Sequence, residues 1–223
     1  MKILVINPTS SPSLEDNLRV CLQDRTRLPV GFYTCSNSKC PKEIYNVSQE
    51  VESAYLCFEE LKNMHQDYDG FLVCCFSDHP LVYMLRELVG KQKPVTGIFQ
   101  ASILHCLALD VGNFAIVTTT NSWKPLLDKA VDNYLGTGSA VKFKGTFGTG
   151  LGVLEVHAFG TAILDKCKEV VEKTNVEVIC LGCAGMVGLA KEVEEKLERE
   201  VIIVDGVLSG VAFVESLIIA RQS

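Results

Sequence analysis

Two short segments of this chain repeat each other, and each places a cysteine where an apolar strand gives way to a helical stretch. The first segment covers residues 71–78, FLVCCFSD, and the second covers residues 178–186, VICLGCAGM. The cysteines at equivalent places are Cys75 and Cys183, which lie 108 residues apart. A thiol supplied by each half of a repeated unit suggests one site built from two equivalent walls.

A second pair of segments repeats at nearly the same offset. The strand that runs into residues 7–11, NPTSS, corresponds to the strand that runs into residues 118–122, TTTNS, 111 residues further on. Two separate landmarks at almost one spacing indicate an internal duplication. Any fold proposed for the chain therefore has to consist of two related halves.

Apolar strands and helical stretches alternate through the whole sequence. The predicted strands are residues 2–7, 29–34, 70–75, 94–99, 113–119, 140–147, 177–182 and 201–205. The predicted helices are residues 13–26, 48–66, 80–90, 100–110, 122–135, 157–174, 186–199 and 207–220. Continuous apolar strands are typical of parallel sheets covered on both faces, and strict alternation predicts an α/β fold with right-handed crossovers.

The alternation allows either one closed barrel or two open sheets. A barrel of eight strand–helix units usually needs about 250 residues, whereas this chain has 223. The duplication therefore favours two pseudo-symmetric, open, parallel-sheet halves of Rossmann-like type, with the active site in the cleft between them. We predict a first domain of residues 1–98 plus 207–223 and a second domain of residues 99–206. Ligands of open parallel sheets bind beyond the carboxyl ends of the strands, where all the landmarks lie.

Composition excludes several classes of function. The formal net charge is −6 and no basic cluster is present, which argues against a nucleic-acid partner. Hydrophobic residues make up 48% of the chain, yet no apolar run reaches the roughly 20 residues that a membrane span needs. The sequence opens on an apolar strand without the layout of a signal peptide, which predicts a cytoplasmic protein. Its ten cysteines are then expected to be reduced thiols.

The cysteine spacing does not predict a metal site. Outside the repeated segments, the only close pair is Cys35 and Cys40, in a polar loop. A zinc site needs about four ligands, and no second pair of His or Cys residues with suitable spacing appears. Other cysteines, Cys57 and Cys167 among them, are expected to be small core residues.

The repeated cysteines are the candidate catalytic residues. Each follows a strand and precedes a helix, where unpaired amides and the helix dipole favour negative charge, so we predict that both thiol pKa values fall from about 8.5 toward neutrality. A thiolate is then a general base and the opposing thiol a general acid. A proton removed from one face of a carbon acid by Cys75 is replaced from the other face by Cys183, or the reverse, and no cofactor is needed. Cys74 and Cys180 lie earlier in their strands and are predicted to point into the core.

Short polar side chains and backbone amides near the two cysteines are the candidate substrate-binding groups. They would hold a small carbonyl-bearing ligand and stabilise the enolate-like charge that forms when the proton leaves. The predicted set is Asn7, Ser10, Phe76, Ser77, Thr118, Thr119, Ala184 and Gly185. Asp78 and His79 invite a Cys-His-Asp nucleophile alternative, but His79 follows Cys75 by only four residues and is not on a separate element able to reach back over the thiol.

Five motifs resemble those of a known enzyme family. Residues 6–11, INPTSS, look like an Asn-Pro-Asn-Ser/Thr-Ser/Thr start, and residues 75–78, CFSD, look like a Cys-Phe-Gly-Asp block. Residues 94–98 resemble a Pro-Val-x-Gly-Ile strand, residues 118–119 match paired threonines, and residues 181–186, LGCAGM, match a second cysteine motif. On these motifs, nearly the whole chain resembles the hydantoin and allantoin racemase family of the aspartate/glutamate racemase superfamily.

The resemblance implies cofactor-independent racemisation with Cys75 and Cys183 as the two bases, and assembly into homo-oligomers. The substrate is expected to be a small-molecule cyclic ureide, either a 5-substituted hydantoin or allantoin, and the sequence does not separate the two. Ser77, His79 and Pro80 stand where the family pattern has Gly, Pro and Gly, which crowds the floor beside Cys75 and bears on the choice of substrate.

Two further interpretations stay open at this stage. One is an isomerase or decarboxylase that acts on a dicarboxylate through a single cysteine. The other is a small-ligand-binding protein that has the fold without turnover, since a fold alone does not establish a function. The landmark strand ends carry no Arg or Lys, which fits a neutral ring better than a free carboxylate.

Overall fold

Two parallel sheets of four strands each form the centre of the computed structural model, which describes residues 1–109, 112–136, 142–156 and 160–221. The first half contains β1 (Ile3–Asn7), α1 (Pro12–Leu22), β2 (Val30–Thr34), α2 (Val47–Leu61), β3 (Gly70–Val73), α3 (Pro80–Val89) and β4 (Val95–Gly97). The chain continues through α4 (Ile98–Ala108), β5 (Phe114–Thr118), α5 (Lys124–Leu135), β6 (Phe143–Gly148), α6 (Gly160–Thr174), β7 (Val178–Gly182), α7 (Ala190–Lys196), β8 (Ile202–Asp205) and α8 (Gly206–Ile219).

The two sheets have the same strand order, which confirms the predicted α/β fold with two related halves. The orders are β2-β1-β3-β4 and β6-β5-β7-β8, and every neighbouring pair is parallel. In the first sheet β2 lies on one side of β1 and β3 on the other, so the order in which strands are added changes side between β1 and β3. The same change occurs in the second sheet between β5 and β7. Those gaps are the topological switch points at which open α/β sheets bind ligands. Cys75 and Cys183 follow β3 and β7, so each thiol lies at a switch point.

Strand side chains divide between three apolar clusters because their direction alternates along a strand. Ile3 and Val5 of β1 belong to a core that also contains buried residues of the second sheet, such as Ile116 and Cys180. The opposite faces of the two sheets pack against helices in separate clusters, one with α2 and α3 and one with α6. The shared core therefore joins the halves, and the carboxyl ends of their central strands border it.

Several element boundaries differ from the prediction for local reasons. The helix predicted from residue 186 starts only at Ala190, because Gly188 has φ of +84° and interrupts the chain after a single 3-10 turn. The helix predicted to begin at Ser48 begins at Val47, since the Asn46 side chain accepts a hydrogen bond from the Gln49 amide at 3.0 Å. The predicted starts of one strand (140–141) and one helix (157–159) lie outside the described residues.

The last helix, α8, packs against the first sheet. At Gly210 an added Cβ would lie 2.6 Å from Leu72 Cδ1 in β3, so only glycine permits this approach. The buried Glu215 carboxylate accepts hydrogen bonds from the Arg27 and Leu28 amides, at 2.6 and 3.0 Å, just before β2. These contacts agree with placing residues 207–223 in the first domain, although the proposed domain limits stay a prediction. Within the described ranges, no helix is both long enough and apolar enough to cross a membrane.

We predict that Glu215→Ala lowers the free energy of unfolding by about 1–3 kcal/mol, because the variant loses two hydrogen bonds from backbone amides to a buried, charged acceptor. Urea denaturation followed by far-ultraviolet circular dichroism measures the change. Glu198→Ala, at an exposed position, is the control and should shift the free energy by no more than about 0.5 kcal/mol. Equal values for the two variants would show that Glu215 does not anchor α8.

Candidate active site

The two repeated cysteines line the same narrow cavity at the carboxyl ends of the central strands. Cys75 lies two residues beyond the end of β3, and Cys183 directly follows β7. The lining residues are Thr9, Leu14, Ile44, Cys74, Cys75, Phe76, Thr118, Thr119, Trp123, Val153, Gly182, Cys183 and Ala184. The structure thus brings six of the predicted site residues together: Cys75, Phe76, Thr118, Thr119, Cys183 and Ala184. The lining drawn from the described residues includes no charged side chain and no histidine.

Asn7 and Ser10 do not line this cavity; both shape the loop after β1. The Asn7 carboxamide accepts hydrogen bonds from the Thr9 amide at 3.2 Å and the Thr9 hydroxyl at 2.8 Å, and donates one to the Ser11 carbonyl at 2.9 Å. The Ser10 hydroxyl donates to the Cys40 carbonyl at 2.6 Å. Their predicted contact with substrate stays a prediction. Thr9, which was not among the predicted binding residues, contributes to the cavity wall.

Ser77 connects Cys75 to a buried carboxylate that the motifs did not identify. The Ser77 hydroxyl lies 3.5 Å from the Cys75 sulfur and donates a short hydrogen bond to Glu50 Oε1. Glu50 lies on α2 and is only 8% exposed. Burial raises the pKa of its carboxyl group, although the hydrogen bond from Ser77 opposes the rise. The available sequence signal was helical spacing, because Glu50 shares the buried face of α2 with Ala54 and Cys57.

The surroundings of Cys183 are different. The Gly185 amide donates a hydrogen bond to the Cys183 sulfur at 3.3 Å, so this predicted binding residue contacts the thiol. An added Cβ at Gly185 would lie 2.5 Å from the Val153 carbonyl oxygen, so glycine is needed where residues 149–156 pass over the site. The Leu154 amide donates to Glu43 of the first half at 3.2 Å, which ties this segment across the cleft. The Thr118 hydroxyl donates to the Gly182 carbonyl at 2.7 Å and fixes the strand end before Cys183.

The prediction that both thiols have low pKa values is wrong. Burial raises the pKa of Cys183 to about 12, and the amide of Gly185 only partly offsets it. Burial also raises the pKa of Cys75, and the negative charge of Glu50 adds to the rise. The helix after Cys75 begins only at Pro80, and α7 begins seven residues after Cys183. The termini of α3 and α7 therefore lie too far along the chain to act on the thiols as the prediction assumed. After Cys183 a single 3-10 turn, Ala184–Met186, supplies the Gly185 amide to the sulfur instead.

Neither Asp78 nor His79 hydrogen-bonds to Cys75, so the Cys-His-Asp arrangement is not formed. His79 is buried and its Nδ1 accepts a hydrogen bond from the Leu81 amide at 3.3 Å. Burial lowers the pKa of His79 to about 3 and keeps the ring neutral near pH 7. The Asp78 carboxylate accepts hydrogen bonds from the Tyr83 hydroxyl at 2.6 Å and the Gln100 amide at 2.8 Å.

The two neighbouring cysteines are buried, as predicted. Cys74 is 2% exposed and Cys180 is 0% exposed. Cys74 also contributes to the wall of the cavity, so it is not independent of the site. The Cys180 sulfur lies 3.1 Å from that of Cys106. Cys167 is buried on α6, in the cluster on the far face of the second sheet. A substitution of Cys167 therefore changes a buried thiol outside the cavity and is a better control than a substitution of Cys74.

Comparisons with known proteins match nearly the full chain to racemases. The family model described as Asp/Glu/Hydantoin racemase matches residues 3–214. An uncharacterised protein of Schizosaccharomyces pombe is 37% identical, with 98% of this chain and 92% of that protein covered. A hydantoin racemase of a Pseudomonas species is 30% identical, with 98% and 86% covered. The solved structure of an allantoin racemase from Klebsiella pneumoniae superposes with a TM-score of 0.85 at 25% identity, with 99% and 89% covered.

The raised pKa values predict how the thiols react with iodoacetamide. The alkylation rate of Cys183 in the folded protein should rise about tenfold per pH unit from pH 7 to 10 without a plateau, because only the thiolate reacts. Peptide mass spectrometry at timed quenches measures this rate. In urea the same cysteine should approach a plateau near its ordinary pKa of about 8.5. A plateau below pH 8 in the folded protein would contradict the buried, neutral thiol.

Proposed function

The chain belongs to the Asp/Glu/Hydantoin racemase family, and from this premise we propose that it is a racemase of a cyclic ureide, either a 5-substituted hydantoin or allantoin. The reaction uses no cofactor and relies on Cys75 and Cys183 as the two bases. Phe76, Thr118, Thr119 and Ala184 complete the proposed substrate site. Hydantoin and allantoin racemases among the relatives support the ureide as the substrate class.

One observation carries this proposal: equivalent cysteines from the two halves line one cavity whose described wall has no charged side chain. A free amino acid or a dicarboxylate would bring at least one carboxylate into this cavity, and its charge would lack a cationic partner there. A ureide ring is neutral and flat, and it carries carbonyl groups that hydrogen-bond to hydroxyls and amides. The site therefore suits the ring better than the acids.

The two thiols act on opposite faces of the ring. The carbon that loses its proton is next to a carbonyl, so deprotonation leaves a planar anion whose charge spreads onto oxygen. On one face the C–H bond breaks and an S–H bond forms; on the other face an S–H bond breaks and the new C–H bond forms. Hydrogen-bond donors around the ring stabilise the anion. The candidate donors are the Thr119 hydroxyl and the backbone amides near Ala184.

A neutral thiol needs a proton acceptor before it becomes a base, and Cys75 has one within reach. We propose that its proton passes to the Ser77 oxygen while the Ser77 proton passes to Glu50 Oε1, along the hydrogen-bonded contacts described above. Burial raises the pKa of Glu50, which makes the carboxylate a stronger base than an exposed one. Cys183 relies instead on the Gly185 amide to stabilise its thiolate.

The other expectations from the sequence stay predictions. They are a cytoplasmic location, assembly into homo-oligomers and the absence of nucleic-acid and membrane partners. None of them enters the proposed reaction.

We predict that the purified protein abolishes the optical rotation of single enantiomers of a 5-substituted hydantoin or of allantoin and introduces deuterium from D2O. Cys75→Ser and Cys183→Ser should each lower the racemisation rate by about 10²–10⁴-fold. Each single variant should still exchange the proton of one enantiomer without inverting it, because the remaining thiol returns deuterium to the same face. Polarimetry and mass spectrometry on the same samples separate exchange from inversion.

Cys167→Ser is the matched control and should racemise at the wild-type rate, because it changes a buried thiol outside the cavity. A folded protein that binds a ureide but neither inverts nor exchanges it would indicate a binding protein. Turnover of a dicarboxylate in place of the ureides would indicate the other enzyme class.

We predict that Glu50→Gln lowers kcat/KM by about 10²-fold, because glutamine keeps the size of the side chain but does not take up a proton. Enantiomers have equal free energies, so kcat/KM falls equally for both. The primary deuterium isotope effect should rise only for the enantiomer that Cys75 deprotonates. Glu52→Gln, at an exposed position on the same helix, is the control. Unchanged kinetics in folded Glu50→Gln would remove Glu50 from the mechanism.

A further inference from the structure

Three cysteines outside the proposed active site lie together beneath the loop that follows β1. The sulfurs of Cys35, Cys40 and Cys57 all lie within 4.8 Å of one another. The three residues are 3%, 3% and 0% exposed. Cys35 directly follows β2, Cys40 ends the next turn, and Cys57 comes from the inner face of α2. The sequence pattern did not indicate that Cys57 joins Cys35 and Cys40, because Cys57 lies 17 residues beyond Cys40 on another element.

A carboxylate lies beside one thiol of the cluster. Glu60 follows Cys57 by three residues on α2, and its Oε1 lies 3.8 Å from the Cys35 sulfur. The Ser36 hydroxyl donates to Oε1 at 2.9 Å, and the Tyr33 hydroxyl donates to Oε2 at 2.9 Å. The Ser36 amide also donates to Oε2, at 3.2 Å. Donors that do not belong to the cluster therefore hold the carboxylate beside Cys35.

We propose that Cys35, Cys40 and Cys57 bind one structural zinc ion as three thiolates, and that the Glu60 carboxylate, which lies beside Cys35, turns toward the ion to take the fourth position. Thiolates and carboxylates are ligands that Zn²⁺ takes in tetrahedral sites, with Zn–S bonds of about 2.3 Å and therefore sulfurs about 3.8 Å apart. That spacing is inside the 4.8 Å limit of this cluster. The hydroxyls of Tyr33 and Ser36 orient the carboxylate, as outer partners do in metal sites. The exposed residues of the turn, 36 and 38–39, give the ion a path from solvent.

The position of the cluster indicates what the ion does. The Cys40 sulfur lies 3.6 Å from the Pro8 carbonyl oxygen, and the Cys35 amide donates to the Thr9 carbonyl at 3.2 Å. The Ser10 amide donates to the Pro41 carbonyl at 3.0 Å. The ion would thus fasten the turn after β2 to α2, and with it the loop that carries Thr9 into the cavity. It would not enter the cavity, so its binding does not depend on the proposed racemase reaction.

The test is a zinc titration of the full chain, reduced and stripped of metal with a chelator. Cys75→Ser/Cys183→Ser is the parent, because it prevents the cavity thiols from binding zinc. Competition with a chromophoric chelator measures affinity and stoichiometry, and thermal unfolding gives an independent readout. We expect one equivalent of Zn²⁺ and a melting temperature that rises with zinc concentration, because an ion that binds only the folded state stabilises it.

Variants in that parent assign the ligands. Cys35→Ser and Cys57→Ser should abolish tight binding, Glu60→Gln should weaken it at least tenfold, and Cys167→Ser should bind one equivalent with unchanged affinity. The Cys57→Ser variant is the most prone to misfold, because Cys57 is fully buried. The result for Cys35→Ser, in the turn after β2, is therefore the one that tests the proposal, with the fold of the variant checked by circular dichroism. No binding to the folded parent, or unchanged affinity in Cys35→Ser, would overturn the proposal.

Discussion

The parallel pairing of β1 with β3 and of β5 with β7 is the constraint on which the rest of the structure depends. Each pairing brings two strand ends to the same edge of a sheet, and the core that the two sheets share brings those edges together. The duplicated halves thereby supply equivalent cysteines to one cavity. A shift of either register would move a thiol away from the cavity, because residue direction alternates along a strand.

Burial raises the pKa of each thiol in this site and hydrogen bonding lowers it, and the effect of burial is the larger. Both cysteines have raised pKa values even though each has a hydrogen-bonding group beside its sulfur. A thiol with a raised pKa has to lose its proton before it can act as a base, and the two halves differ in the groups placed for this. A hydroxyl and a carboxylate lie beside Cys75, and a backbone amide lies beside Cys183. The two halves therefore resemble each other more in backbone than in the groups around the thiols, and Ser77 belongs to the half that contains Cys75.

The sequence predicted those features that depend on periodicity and repetition. The two parallel-sheet halves and the meeting of Cys75 with Cys183 followed from the alternation and the duplication, because parallel strands leave few arrangements. The order of the strands within each sheet was not predicted. Features that arise from packing between distant segments were missed. Glu50 reaches Ser77, and Cys57 reaches Cys35, only through the way in which α2 lies on the first sheet. The predicted fall of the thiol pKa values was wrong for the same reason, since burial of the thiols is a property of the folded protein.

The return of α8 to the first sheet has a consequence for the synthesis of the chain. Leu72 in β3 is covered by Gly210, and the segment before β2 is anchored by Glu215, both of which come from the last fifteen residues. The first half is therefore translated early but has an uncovered apolar face until α8 has been synthesised and can pack against it. Its folding is coupled to completion of the second half, and a nascent chain that stalls late would expose that face to chaperones or to aggregation.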